Sequence, residues 1–281
     1  SNESGSSVKV YNGSTELGSA TVSGTSWSYT ATVANGTTYQ FNVKETDLAG
    51  NTSDATSNFE VTGDTTAPGV SLTAATIKNT GNTVVQSTET GTVYLVNTTV
   101  TVSNLTSITG AADNQWNSVA ISSPSTNTSL AATGLADGTY KAYAVDDAGN
   151  LSSASSNSVI VDSTIPTVSS VAITSAEGIQ NSFLNAGDNV TVTATFRELV
   201  NLVNTGGDPT LTLAVGSDNR TATYTSGSGS TQLVFRYTIQ SGDNDTNGIS
   251  IRADALNDNG STIRDVAFNN ADLTHSAVDN N

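Results

Sequence analysis

Short runs in which apolar and polar side chains alternate recur along the 281-residue chain, separated by stretches rich in Gly, Asn, Asp and Ser. A period of two puts successive side chains on opposite faces of a strand, and the intervening residue types favour turns. Between residues 65 and 162 this pattern predicts seven strands, at 70–72, 83–87, 92–96, 117–121, 129–132, 140–145 and 158–161. Asp137-Gly138 is a turn signal before the sixth, and Asn35-Gly36 and Asn247-Gly248 read as the same turn elsewhere. No stretch carries a helical period. Short strands with a turn every ten residues or so predict an all-β chain of immunoglobulin-like β-sandwiches, without the Cys and Trp marks of true immunoglobulin domains.

The pattern is also repeated at a longer scale. Asp47-Leu-Ala-Gly-Asn51-Thr-Ser returns as Asp146-Asp-Ala-Gly-Asn150-Leu-Ser and, more loosely, as Asp265-Val-Ala-Phe-Asn269-Asn-Ala. Each copy is followed by a strand-like run and another Asp, at Asp64, Asp162 and Asp279. Upstream of each lies a Glu: Glu3 in Glu3-Ser-Gly-Ser-Ser-Val, Glu89 in Glu89-Thr-Gly-Thr-Val, and Glu198 in Glu198-Leu-Val. From loop Asp to terminal Asp the spacing barely changes (47 to 64, 146 to 162, 265 to 279). From Glu to loop Asp it grows (3 to 47, 89 to 146, 198 to 265), as in a fixed sandwich with variable loops. Three tandem units follow, at 1–64, 65–162 and 163–281. The first begins at its Glu-x-Gly motif and is expected to lack the first two strands of its siblings.

Composition sharpens this. There is no Cys and no Met, so an extracellular chain of this kind would be held by something other than disulfides, and metal ions are the natural candidates. The missing initiator Met suggests an internal fragment. No apolar run approaches the ~20 residues of a membrane span, and no signal peptide is recognisable. Net charge is −16, from 25 acidic and 9 basic residues, which disfavours nucleic acid because phosphate contacts need Lys and Arg clusters. An acidic surface can by itself be a solubility device.

Position says more. In such a sandwich the loop after the second strand and the loop before the last lie beside the point where the chain arrives from the preceding unit. Asp64, Glu89 and Asp146 should therefore converge on one junction, and Asp162, Glu198 and Asp265 on the next. Asp47 and Glu3 occupy the matching positions of the first unit. Three carboxylates within a few ångströms repel unless protonated or neutralised. Ca²⁺ takes six to eight oxygens and suits them better than Mg²⁺, which demands a tighter octahedron. The bland reading is that each Asp caps a turn.

With these residues the chain resembles the bacterial Ig-like (Big) domains of giant repeats-in-toxin adhesins exported by type I secretion. The likeness rests on Asp-x-Ala-Gly-Asn-x-Ser, the Asp64-Thr-Thr-Ala-Pro68 linker, the Glu-x-Gly turn and the stretch Leu135-Ala-Asp-Gly-Thr-Tyr-Lys-Ala-Tyr-Ala-Val-Asp146. It implies an extender role on the bacterial cell surface. Modules in series, stiffened by calcium, would hold a distal binding domain away from the cell for adhesion or biofilm formation. The chain would be a monomer whose partners are neighbouring modules. The third unit departs from the pattern, with Phe268 for Gly, Arg264 before the loop Asp and an insertion at 257–261.

No enzyme is expected. Without Cys no histidine–cysteine pair is possible, and a Ser-His-Asp set would need the single histidine, His275, which reads as a surface residue. The rival reading is a module binding a glycan or protein through the long polar loops of the third unit, at 206–209, 226–230 and 241–247. Trp27 and Trp116 sit in strand-like contexts and are expected to pack.

Overall fold

The computed structural model describes residues 2–204 and 206–280. In the first unit β1 (Ser7–Asn12), β2 (Thr15–Ser19), β5 (Thr38–Thr46) and β6 (Phe59–Thr62) form a sheet in the order β2-β1-β5-β6. Two three-residue strands, β3 (Thr21–Ser23) and β4 (Ser26–Ser28), make a separate hairpin.

The second unit is a complete sandwich. One sheet runs β11 (Trp116–Ile121), β10 (Gly91–Asn97), β13 (Gly138–Asp146), β14 (Val159–Val161), β8 (Ala75–Ile77). The other runs β12 (Thr128–Ala131), β9 (Asn82–Ser87), β7 (Val70–Leu72). The alternation read in the sequence is the alternation of burial: Val93, Leu95, Tyr140, Ala142 and Ala144 from one sheet meet Leu72, Val85 and Leu130 from the other in one core. The Tyr140 hydroxyl donates to the Ala136 carbonyl (2.7 Å), pinning the start of β13 to the residues before it, the corner interaction known from immunoglobulin-like sandwiches. The strand β8 pairs in parallel with β14, so the first and last parts of the unit share an edge. One five-residue helix, α1 (Leu105–Thr109), and a single 3₁₀ turn fill the loop between β10 and β11. Neither β8 nor the helix has enough length for a periodic signal.

The third unit differs in wiring. A continuous sheet runs β15 (Val168–Glu177), β16 (Asn189–Val203), β19 (Ser230–Thr238), β18 (Asp218–Ser226), β17 (Thr210–Val215), β20 (Ser250–Asn257), and β21 (Thr262–Arg264) pairs with the far half of β16. Strands along the whole path, including β16, β17, β19 and β20, bury Val192, Leu211, Phe235 and Ile251 in a single core. The long strand β16 does the work of two. Its first half pairs β19 up to Thr195, the register breaks, and its second half pairs β21 from Asn201. Glu198 falls in that break rather than in a loop. The inserted β20 also corrects one sequence-based equivalence: the turn ahead of the Asp265 loop is Asn259-Gly260, leading into β21, and Asn247-Gly248 precedes β20 instead. Both dipeptides carry the same turn chemistry, so sequence alone did not separate them.

The chain is thus nearly all β, an array of β-sandwich units in which no strand of one range pairs with a strand of another among the described residues. Trp27 lies in β4, 37% exposed, and Trp116 opens β11 half-buried beside Tyr94.

Candidate metal centres at the linkers

Each junction is assembled from three separate pieces of backbone. Asp146 closes β13 opposite Gly91, the first residue of β10. Gly91 has φ +135°, and a Cβ there would lie 2.1 Å from the Val145 carbonyl oxygen. Only glycine lets the Glu-x-Gly turn approach Asp146 so closely, which is the physical content of that motif. The Asp146 loop is closed by its own carboxylate. Oδ1 accepts from the Ala148 and Asn150 amides (2.9 and 2.8 Å), and Oδ2 accepts from Asn150 Nδ2 (2.9 Å). Asn150 Nδ2 also donates to the Asp64 carbonyl oxygen (3.2 Å), tying the loop to the linker.

Around this frame, carboxylate oxygens of Asp64, Glu89 and Asp146 lie within 4.8 Å of one another. The second junction repeats the arrangement. Asp162, Glu198 and Asp265 meet the same limit, Asn269 donates to both oxygens of Asp265 (2.8 Å each), and Asn269 Nδ2 donates to the Asp162 carbonyl (3.0 Å). Both linker aspartates also cap their own turns, Asp64 accepting from Thr66 N and Asp162 from Thr164 N (3.0 Å each). The turn-capping and clustering readings therefore hold for the same residues at once.

The glutamates are different. Neither Glu89 nor Glu198 receives a side-chain hydrogen bond among the described residues, and none of the four ion pairs involves any of the six carboxylates. Burial, then the charges of Asp64 and Asp146, push the Glu89 carboxyl above its usual range. Burial, then Asp162 and Asp265, do the same to Glu198. Against the upward push of its own burial, the Asn150 side chain and the loop amides hold Asp146 below its usual value.

In the first unit, Asp47 forms the same closed loop, accepting from Asn51 N and Nδ2 (2.8 Å each). The Glu3 amide donates to Glu45 Oε1 (2.5 Å). Glu3 and Asp47 belong to no three-carboxylate group among the described residues. The register of β1 on β5 shows one extra residue in the Glu3 turn, so Ser6 rather than Gly5 matches Gly91.

Two features escaped the sequence reading. The motif asparagines join loop to linker, a role that their place four residues after the Asp could have suggested. Each linker is also gripped from behind by the preceding unit. Asn35 accepts from Thr65 N (2.9 Å) and donates to Thr66 Oγ1 (2.8 Å), and Asp137 accepts from Ser163 N (2.8 Å) and Thr164 Oγ1 (3.1 Å). These are the residues that opened the Asn-Gly and Asp-Gly turn signals. His275 is not a free surface residue. Its Nε2 accepts from the Ala255 amide (2.9 Å) and its Nδ1 donates to the Ser276 carbonyl (2.8 Å), which holds the segment after β21 against β20.

No protein-family model and no curated protein matches the chain. Among solved structures it is similar to the chicken CNTN1 FN1-FN3 domains, at 11% identity over 98% of this chain and 90% of that one, TM-score 0.23. It is also similar to the Bacteroides ovatus mixed-linkage glucan utilization locus SGBP-B in complex with mixed-linkage heptasaccharide, at 12% identity over 97% of this chain and 59% of that one, TM-score 0.21. Likenesses at these identities and scores carry no argument about function. No helix among the described residues is long and apolar enough to cross a membrane.

Proposed function

We propose that the chain is a calcium-rigidified extender segment of a large bacterial surface adhesin, of the repeats-in-toxin kind that its motifs resemble. Its role is mechanical: modules in series hold a distal binding domain out from the cell. The observation that carries this reading is the recurrence, at both linkers, of a glutamate that receives no side-chain hydrogen bond and forms no ion pair among the described residues, set beside two aspartates. Three anionic groups so close are costly unless a cation joins them. An all-oxygen donor set of carboxylates is hard-cation chemistry and suits Ca²⁺. Asp64, Glu89 and Asp146 would hold one ion, and Asp162, Glu198 and Asp265 another. The ion supplies positive charge that fastens the linker to the following unit. Asn150 and Asn269 hold the aspartates in place for it, while Asn35 and Asp137 fix the linker on the other side.

Catalysis has no support in this reading, because the one histidine has both ring nitrogens engaged with backbone. Glycan binding through the third unit has less support than the extender role. A groove beside the 241–247 loop, about 640 Å³, offers Phe183 as its single aromatic, and a second, about 690 Å³, between β15 and the segment around His275 has no Phe, Tyr or Trp in its lining, whereas sugars are held mainly by stacking.

The test is calcium titration of the whole chain by calorimetry together with small-angle scattering. Two tight sites and a longer, stiffer particle with calcium than with chelator are expected. Absence of calcium-dependent heat would overturn the proposal.

A further inference from the structure

The segment after β21 crosses the third unit as a strap held at three points. At one end the Asp272 amide donates to the Pro166 carbonyl (2.8 Å), and Thr167 bridges Asp272 in parallel. At the other, Ile251 and Val278 exchange both of their amide bonds (2.9 and 2.7 Å). The middle point is His275, whose amide donates to Asp254 Oδ1 (2.9 Å) and whose carbonyl accepts from the Asp254 amide (3.2 Å). A groove of about 690 Å³ separates the strap from Val168 and Val171 of β15, and Val278 packs against the core.

The shape of β20 accounts for the ring at that point. On β17 a single residue, Thr212, separates Leu211 from Leu213, whereas Arg252, Ala253, Asp254 and Ala255 separate their partners Leu256 and Ile251 on β20. The surplus residues bulge out of the ladder, and Asp254 takes φ 56° to make the turn. Where the chain rejoins the ladder, the Ala255 amide (2.9 Å) and the Leu256 amide (3.3 Å) both donate to His275 Nε2. The other ring nitrogen, Nδ1, lies 2.8 Å from the Ser276 carbonyl oxygen. An amide N–H only donates and a carbonyl only accepts, so these contacts admit one form of the ring, neutral with its proton on Nδ1. A second proton, on Nε2, would face two N–H groups and leave both without an acceptor, which is costly for half-buried donors.

Histidine is the side chain whose charge changes between about pH 5 and 8. The chain has this one alone, and it is half-buried, within reach of solvent. We propose that His275 is a proton-operated catch. Neutral, it ties the strap to the β20 bulge; protonated, it releases the strap and opens the seam between β15 and β20. The charged groups around it do not restore the lost bonds. The bulge brings Arg252 and Asp254, the strap brings Asp272, and β15 brings none between Val168 and Val171. Asp254 would attract the charged ring, yet its Oδ1 is already committed to the His275 amide. The strap's contribution to stability is therefore whole with the neutral ring and lost as pH falls through protonation of that ring. The first two units contain no histidine, so the effect is confined to the third.

The experiment follows the whole chain by NMR between about pH 8 and about pH 5.5, unaltered and as His275→Gln, whose side-chain carbonyl can accept in the same place but takes up no proton. In the unaltered chain, amide protection of Ala255, Leu256 and residues 274–278, corrected for the intrinsic effect of pH on exchange, is expected to fall at least about tenfold as the ring is protonated. Protection in the second unit should stay constant, and in His275→Gln the strap should be equally protected at both ends of the range. Strap protection that persists while the ring takes up its proton overturns the proposal. So does a ring that stays neutral throughout, or an equal loss of protection in the two chains. A His275→Gln chain already open at high pH should reproduce the strap signals of the unaltered chain at low pH, and a different set of signals would also overturn it.

Discussion

At position 268 a phenylalanine holds φ 70°, where the other two copies of the loop have Gly50 and Gly149, both at 91°. A side chain in the left-handed region costs on the order of 1 kcal/mol. Here the ring is 4.4 Å from the Arg264 guanidinium, an exposed cation–π contact of about 0.5–1 kcal/mol. The two residues that made the third loop look aberrant in sequence therefore offset each other. Phe268→Ala should destabilise the third unit by about 1 kcal/mol, because it keeps the backbone cost and loses the contact. Phe268→Gly should be near neutral, and thermal melting of the two variants decides between them. Gly91→Ala, by contrast, has no such remedy. Its Cβ would meet the Val145 carbonyl at 2.1 Å. It should cost about 1–3 kcal/mol and weaken calcium at the first junction only, as titration would show.

Between elements, the third unit carries a buried charge network that the sequence did not disclose. The Asp243 side chain is 2% exposed and accepts from Arg220 Nε (2.7 Å), Gln240 N (2.8 Å) and the Tyr237 hydroxyl. It thereby joins β18 and β19 to the loop before β20. Burial pushes this carboxyl up, but the donors from Tyr237, Gln240 and Arg220 outweigh it and hold Asp243 below its usual 3.8. Its stabilising contribution is then present above about pH 3.8 and is lost as pH falls through the lower, folded value. Burial, then the bond to Asp243, raise Tyr237 to about 12. That contribution is whole below pH 10 and fades between 10 and about 12. Asp243→Ala should cost about 3–5 kcal/mol by leaving Arg220 and Tyr237 without their acceptor. In Asp243→Asn the acid limb of the stability–pH curve should become shallower by Asp243's share, the other lowered carboxylates such as Asp146 and Asp272 keeping theirs. Such partners leave no local pattern, since Arg220 lies 23 residues before Asp243 and Tyr237, six before it, sits near the end of a strand of ordinary alternation. The strands of the second unit were legible because each has its own period and turn residues. The junction triads were legible because topology returns alternate loops to one end. The inserted β20, the fused strand β16 and the β8 edge were not, being products of pairing.

For the whole molecule, the linkers decide how one unit is oriented on the next. A ligand bound to the folded state alone stabilises it by RT ln(1 + [L]/Kd), about 2.7 kcal/mol at a hundredfold excess. Chelation should therefore lower the melting temperature and shorten the scattering profile. Asp64→Ala and Asp162→Ala should each free one joint while sparing the sandwich cores, because these residues lie on the linker. Asp64→Ala and Asp146→Ala should be non-additive in calcium affinity, since both would serve one ion. Unchanged affinity and length in both single variants would leave these aspartates as turn formers only.

The parallel pairing of β8 with β14 has a consequence for load. Strands joined side by side and pulled from opposite ends must break all their rungs together, whereas a hairpin pulled from one end opens rung by rung. In the second unit the pulled ends would be its first and last segments, which this short ladder joins, with Val159, Ile160 and Val161 opposite Ala75, Thr76 and Ile77. Stretched by a single-molecule instrument, this unit should resist as a shear lock. Proline at Thr76 should lower its rupture force far more than its thermal stability.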